Sequence, residues 1–190
     1  MAVIHHTTMT PGKLELLASW LPSQPWYAGR PGRTPELAKA GGFRLDDPEG
    51  EVGIEFMVVT DGAGDGPVAY HVPLTYRGAP LEGAEHALVG TSEHGVLGLR
   101  WVYDGAQDPV LLARLRALFR GKAVPQAQSE SDAPDPTVTV VPGKDGPTLS
   151  VTRVLHPGAP AGPDTPAHVS ATWQTPDGTP ARGVFASLHV

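Results

Sequence analysis

Apolar positions near the N-terminus recur at helical spacing: Leu14, Leu17, Trp20 and Leu21 fall on one face. Thr10 is placed to cap this helix, Pro11 fits its first position, and Pro22 stops it. Segment 23–33 is too rich in Pro and Gly for regular structure, yet carries Trp26 and Tyr27, which predicts a loop pinned to the core. The period then changes to two. Val52, Ile54, Phe56 and Val58 alternate with Met57 and Val59, predicting a strand over 52–60. Residues 61–66 make a turn, and 68–76 returns as a second strand, in which Pro73 implies an edge position or a bulge. Residues 82–89 fit a turn or two of helix, and 96–103 reads as a third strand.

The clearest helix spans 109–120. Asp108 is its N-cap and Pro109 its first residue. Leu111, Leu112, Leu115, Leu118 and Phe119 form its apolar face, basic residues suit its C-terminal end, and Gly121 closes it. Segment 122–136 has almost no large apolar residue and reads as a flexible linker. Four short β-type runs follow, at 137–141, 148–155, 168–175 and 183–190. In them Ser150, Thr152, Ser170 and Thr172 alternate with Val151, Val169, Ala171 and Trp173, as in a half-buried meander. The expected fold class is α+β: a curved antiparallel sheet packed by two main helices, followed by a smaller β-meander region. The expected division is a domain over 1–121, a linker over 122–136 and a β-rich region over 137–190. Whether that last region has its own core or completes the first sheet is open at this level.

The hydrophobic share of 40% in 190 residues supports a real core, and the 23 Gly and 21 Pro sit mostly between the apolar runs. A net charge of -6 argues against nucleic acid and against an anionic membrane surface. The absence of cysteine excludes disulfides and zinc–thiolate sites. Residues 1–10 have neither the basic nor the apolar region of a signal peptide. No run of 18 apolar residues could span a bilayer, so the expected address is the cytoplasm.

Little reactive chemistry is legible. The Asp-Gly-Ala-Gly-Asp-Gly run at 61–66 has glycines but no Lys followed by Ser or Thr, and a strand follows it, so a hairpin turn is the better reading than a phosphate loop. The eight histidines lack the spacing of a metal set, and His5 and His6 are adjacent near the terminus. The carboxylates Asp46, Asp47, Glu49 and Glu51 read as a solvated turn. Ser92 and Ser187 lack a nucleophile-elbow setting. No catalytic residue, cofactor or metal is expected. Trp20, Trp26 and Tyr27 carry two readings. Exposed, their flat faces would stack on sugar rings; buried, they would dominate a small core. Trp20 lies on the apolar face of its helix, which favours the core.

The stretch from Leu17 to Arg30 (L-A-S-W-L-P-S-Q-P-W-Y-A-G-R) resembles the opening of maltokinases, whose signature is of the type W-L-P-x-Q-R-W-F/Y-x-G-K. Three blocks continue the resemblance in order. Tyr70 to Arg77 (Y-H-V-P-L-T-Y-R) is similar to the family's Y-x-V-P-L-T-Y-R strand. Leu88-Val89-Gly90 is similar to its L-I-G. Val102-Tyr103-Asp104 with Asp108-Pro109-Val110 is similar to its entry into the last helix of the N-terminal cap. Pro25 stands where the family has Arg, and Arg30 where it has Lys.

The resemblance stops near Gly121. Maltokinases continue into a bilobal kinase domain with an H-x-D catalytic loop, and no histidine here begins that motif. The resemblance therefore implies a cap-like module over 1–121, in maltose-1-phosphate and α-glucan (glycogen-type) metabolism, that is not an enzyme by itself and acts by binding a partner enzyme. The alternative is an α-glucan-binding module using Trp26 and Tyr27, with Trp173 as a third platform. Less expected is an α-glucan-acting or sugar-phosphorylating enzyme. The candidate binding surface comprises Trp26, Tyr27, Arg30, Tyr76, Arg77 and Trp173.

Overall fold

The computed structural model describes residues 8–30, 32–63, 66–130, 133–144, 146–158 and 165–189. His5, His6 and the middle of the 61–66 turn lie outside them. The strands in chain order are β1 (Met9–Thr10), β2 (Leu37–Leu45), β3 (Gly53–Asp61), β4 (Val68–Arg77), β5 (Leu88–His94) and β6 (Gly98–Asp104), then β7 (Gln126–Ala127), β8 (Thr139–Val141), β9 (Thr148–Val151), β10 (Val154–Leu155), β11 (His168–Gln174) and β12 (Pro180–His189). They join one sheet in the order β1-β5-β6-β4-β3-β2-β11-β12-β9, with β10 beside β4, β7 beside β2 and β8 beside β11. Every strand pair is antiparallel.

The alternation read along β3 sorts two cores onto the two faces of this sheet. Ile54, Phe56 and Val58 point to a core shared with Phe43, with Leu111, Leu115 and Leu118 of helix α2 (Pro109–Phe119), and with Val169, Ala171, Trp173 and Phe185. Met57 and Val59 point the other way. They meet Tyr70, Val72 and Leu74 of β4, Val102 of β6, and Leu17, Trp20 and Leu21 from the end of helix α1 (Lys13–Trp20) and the turn beyond it. A strand covered on both faces reads as a nearly unbroken apolar run, as 56–59 does.

The fold is mostly β, and the expected packing by two main helices overstates their share. The helices have 8 and 11 residues, and β11 and β12 supply much of the cover on the α2 side. Asp108 caps α2, accepting from the Val110 N–H at 2.9 Å, and Gly121 ends it at φ +67°. The cap of α1 is Gly12 rather than Thr10. The Glu15 carboxylate reaches back to accept from the Gly12 N–H at 2.6 Å, one half of a capping box whose other half glycine, lacking a side chain, does not supply.

The expectation for Pro73 is corrected. β4 is an interior strand, and Pro73 sits where its outer side changes partner, between the pairing of Ala69 and Tyr70 with β10 and that of Leu74 to Arg77 with β6. Described residues within 122–136 make hydrogen bonds to the first sheet. β7 pairs with Phe43 and Arg44, the Arg44 side chain donates to the carbonyls of Ala127 and Glu130, and Gln128 donates to the buried Glu55 at 2.6 Å. Backbone and amide hydrogen bonds, invisible to an apolar count, tie them down. The strands beyond them complete the first sheet: Trp173 of β11 pairs with Gly41 of β2.

Candidate functional site

The aromatic loop docks on the α1 face. The Trp26 ring lies 5.8 Å from Trp20 in an edge contact and 6.0 Å from Tyr70, and Tyr27 lies 5.5 Å from Tyr70. Two polar clasps hold the loop. The Tyr27 hydroxyl donates to Asp61 at 2.8 Å, and the Ala28 N–H donates to the Tyr70 hydroxyl at 3.0 Å. Asp61 is buried and also accepts from the N–H groups of Glu36 and Ala63, so one carboxylate organises three chain segments. Burial, then the Asp61 carboxylate, push the Tyr27 phenol well above its ordinary range, so it serves as a fixed donor rather than an acid.

Arg153 closes this corner and was not foreseen from the sequence. Its guanidinium stands 4.9 Å over the Trp26 ring and pairs with the Asp104 carboxylate at 2.5 Å. Its backbone carbonyl accepts from the His71 N–H at 2.8 Å, beside the Pro73 gap on β4. The neighbouring Thr152 carbonyl accepts from the His71 ring at 2.9 Å. Burial pulls the pKa of His71 down to about 3, so its imidazole is neutral, and its ring lies tilted 4.5 Å from Phe185.

Tyr76 and Arg77, neighbours in sequence, serve opposite faces. The Tyr76 hydroxyl donates to Glu55 at 2.6 Å, where Lys13 also binds at 2.6 Å. Burial alone would raise the Glu55 carboxyl, but Lys13, Tyr76 and Gln128 outweigh it and hold it below the usual range. Arg77 forks onto the fully buried Asp108 with two contacts of 2.8 Å, and Thr75 adds a third bond at 2.7 Å. The structure therefore brings Trp26 and Tyr27 together, leaves Arg30 exposed at the end of their loop, and gives Tyr76 and Arg77 internal partners. Trp173 is 3% exposed and packs 6.2 Å from Phe185, so it is core and no outer platform.

The surface has a different apolar centre. Of the five exposed large hydrophobic residues among those described, Leu88, Val96, Leu97 and Leu99 all belong to the β5–β6 hairpin. Such clustering marks an interaction surface more often than scattered single exposures do. The sequence carries this signal as Val96-Leu97 beside a glycine, at the start of the run 96–103 that reads as the third strand. Among the described residues no group of three or more His, Asp or Glu is placed to hold a metal ion. None of their helices is long and apolar enough to cross a membrane.

Replacing Trp26 with alanine is expected to cost about 2 kcal/mol, less than the ~3–5 kcal/mol of a fully buried aromatic, because part of the ring faces solvent. Thermal unfolding of the variant checks this. An unchanged melting temperature would mean that the ring's contacts with Trp20, Tyr70 and Arg153 contribute nothing, and would return it to the role of a free stacking platform.

A family model described as the maltokinase N-terminal cap domain matches residues 20–108. No curated protein and no solved structure matches the chain. The matched span runs from the end of α1 through β6 to the Asp108 cap. It contains Trp20, Trp26, Tyr27 and Tyr70 of the aromatic corner, Tyr76, Arg77 and the β5–β6 hairpin, and leaves out Arg153, α2 and the C-terminal strands.

Proposed function

We propose that this chain, carrying a maltokinase-type cap over residues 20–108, is a non-catalytic accessory module of maltose-1-phosphate and α-glucan metabolism. It acts in the cytoplasm by binding a protein partner, an enzyme of that metabolism. The cap match carries this reading, because a cap is a part of a maltokinase that does not perform the phosphoryl transfer. Two features of the molecule support it. The titratable groups with the strongest partners, Glu55, Asp61 and Asp108, accept hydrogen bonds from elements of the fold itself. The apolar hairpin offers a protein partner the kind of core-and-rim surface on which stable interfaces are built.

The glucan-binding alternative rests on Trp26 and Tyr27, and draws less support. Trp26 already holds Arg153 over its ring, and Tyr27 leans on Tyr70. A sugar would have to compete with both contacts.

Titration calorimetry of the protein with maltose, maltoheptaose and glycogen is expected to be flat, and no ATP-dependent phosphorylation of maltose is expected. Size-exclusion chromatography with the purified maltose-1-phosphate and α-glucan enzymes of the same cell is expected to show co-elution with one of them. The double substitution Leu97→Asp with Leu99→Asp should abolish co-elution without lowering the melting temperature. Saturable heat with a glucan, or co-elution untouched by the hairpin variant, would count against the reading.

A further inference from the structure

Arg153 also lines a cleft of about 320 Å³ between α2 and the β9–β10 strands, on which no function has so far been placed. That volume lies at the lower end of the range for small-molecule sites. Leu112, Leu149 and Val151 form apolar walls, while Gln107, Arg116 and Arg153 supply the polar groups.

The charges there do not balance. Arg153 pairs with Asp104 through Nη2, but its Nη1 is buried without an acceptor. Arg116 donates to the Pro147 carbonyl at 2.9 Å, and no carboxylate among the described residues lies within ion-pair distance of it. Two guanidinium groups thus face one carboxylate. A buried guanidinium N–H without a partner is costly, and an oxyanion is the ligand whose geometry a guanidinium fork fits.

We propose that this cleft binds the phosphate or carboxylate head of a small metabolite, held by the guanidinium groups of Arg116 and Arg153, with the ligand's carbon skeleton against Leu112, Leu149 and Val151. Asp104 is what keeps Arg153 in place. Its pairing with Nη2 fixes the orientation of the guanidinium at the cleft wall. Gln107, exposed at the mouth, adds an amide donor. The site stands apart from the hairpin, so it holds or fails independently of the proposed protein partner.

The test is a ¹H–¹⁵N NMR titration of the full chain with inorganic phosphate and, separately, with butyrate, against sodium chloride at equal ionic strength. Saturable shifts at the amides of 106–107 and 149–153 with either probe support the site, and the tighter probe identifies the head group. Arg116→Gln should weaken that binding about tenfold, the loss of one charge-assisted bond. Gln107→Glu, an exposed change that places a negative charge at the mouth, should weaken it as well. Arg33→Gln, in an exposed pair with Glu36, should leave it unchanged. Shifts no larger than those from chloride would overturn the proposal. Binding equal to wild type in both cleft variants would do the same.

Discussion

Asp108→Ala is expected to lower the free energy of unfolding by about 3–5 kcal/mol, the cost of removing one partner from a buried ion pair. The side chain is fully buried, and each of its oxygens accepts twice. One takes the Thr75 hydroxyl and Arg77 Nε; the other takes Arg77 Nη2 and the Val110 N–H. Alanine would strand the Arg77 guanidinium, uncap α2 and cut the tie between β4 and that helix. Urea denaturation at neutral pH measures the loss. A value below about 1 kcal/mol, the range of exposed pairs, would show that Arg77 finds water instead.

The same carboxylate gives the effect a pH signature. Burial disfavours its charge, but Arg77, Thr75 and the Val110 N–H outweigh burial and hold its pKa below the ordinary value. A depressed carboxyl contributes stability that is present above the unfolded pKa of about 3.9 and is lost as pH falls through the folded value. The gap between wild type and Asp108→Ala should therefore narrow below about pH 4.

Phe185→Ala, in the strand farthest along the chain, is the second large effect, expected at about 3–5 kcal/mol. Its ring lies 4.5 Å from His71, 6.0 Å from Phe43 and 6.2 Å from Trp173, linking β12 to β4, β2 and β11. Phe43 in turn stacks on Phe56 at 4.4 Å and 5°. Because these rings fill one core, tryptophan fluorescence and far-ultraviolet circular dichroism should follow one coincident urea transition, displaced as a whole by the substitution. Two separated transitions, only one of them displaced, would instead describe a C-terminal region with a core of its own.

How much of this was legible depended on whether each signal is local. α2 could be read to within a residue because its cap, first-turn proline, apolar face and closing glycine are all contiguous. β3 declared both of its faces by alternation. β2 was missed: Leu37 to Gly42 contains no β-branched residue, and its strand character comes from pairing with β3. Gly41 and Gly42 adopt φ of +142° and +128° at a shift in register, and a Cβ on Gly42 would lie 2.1 Å from the Phe56 carbonyl oxygen. They are therefore the condition for the strand rather than a break in it.

The site followed the same rule. Two aromatic residues in a Pro-Gly loop implied anchoring, and the anchors are there. Tyr76 and Arg77 stood out only through the family resemblance, since Glu55 and Asp108 are 21 and 31 residues away in sequence. Arg153 gave no local sign at all: a lone basic residue in Val-Thr-Arg-Val reads as the wet side of a strand. Only the meeting of β10 and β6 on one edge of β4 gives it Asp104 on one side and Trp26 on the other.

β3 pairs with β4 from Gly53 to Asp61 and with β2 from Ile54 to Asp61, and is covered on both faces. Its amide protons are expected to trade with deuterium as a slow clock that advances when the entire molecule comes apart. Among the described residues, β5 has as strand partner on its outer side the two-residue β1, at His94 and Glu93. Its remaining amides keep a faster time, set by local fraying, and the ratio of the two clocks reads out how much of the protein's stability is global.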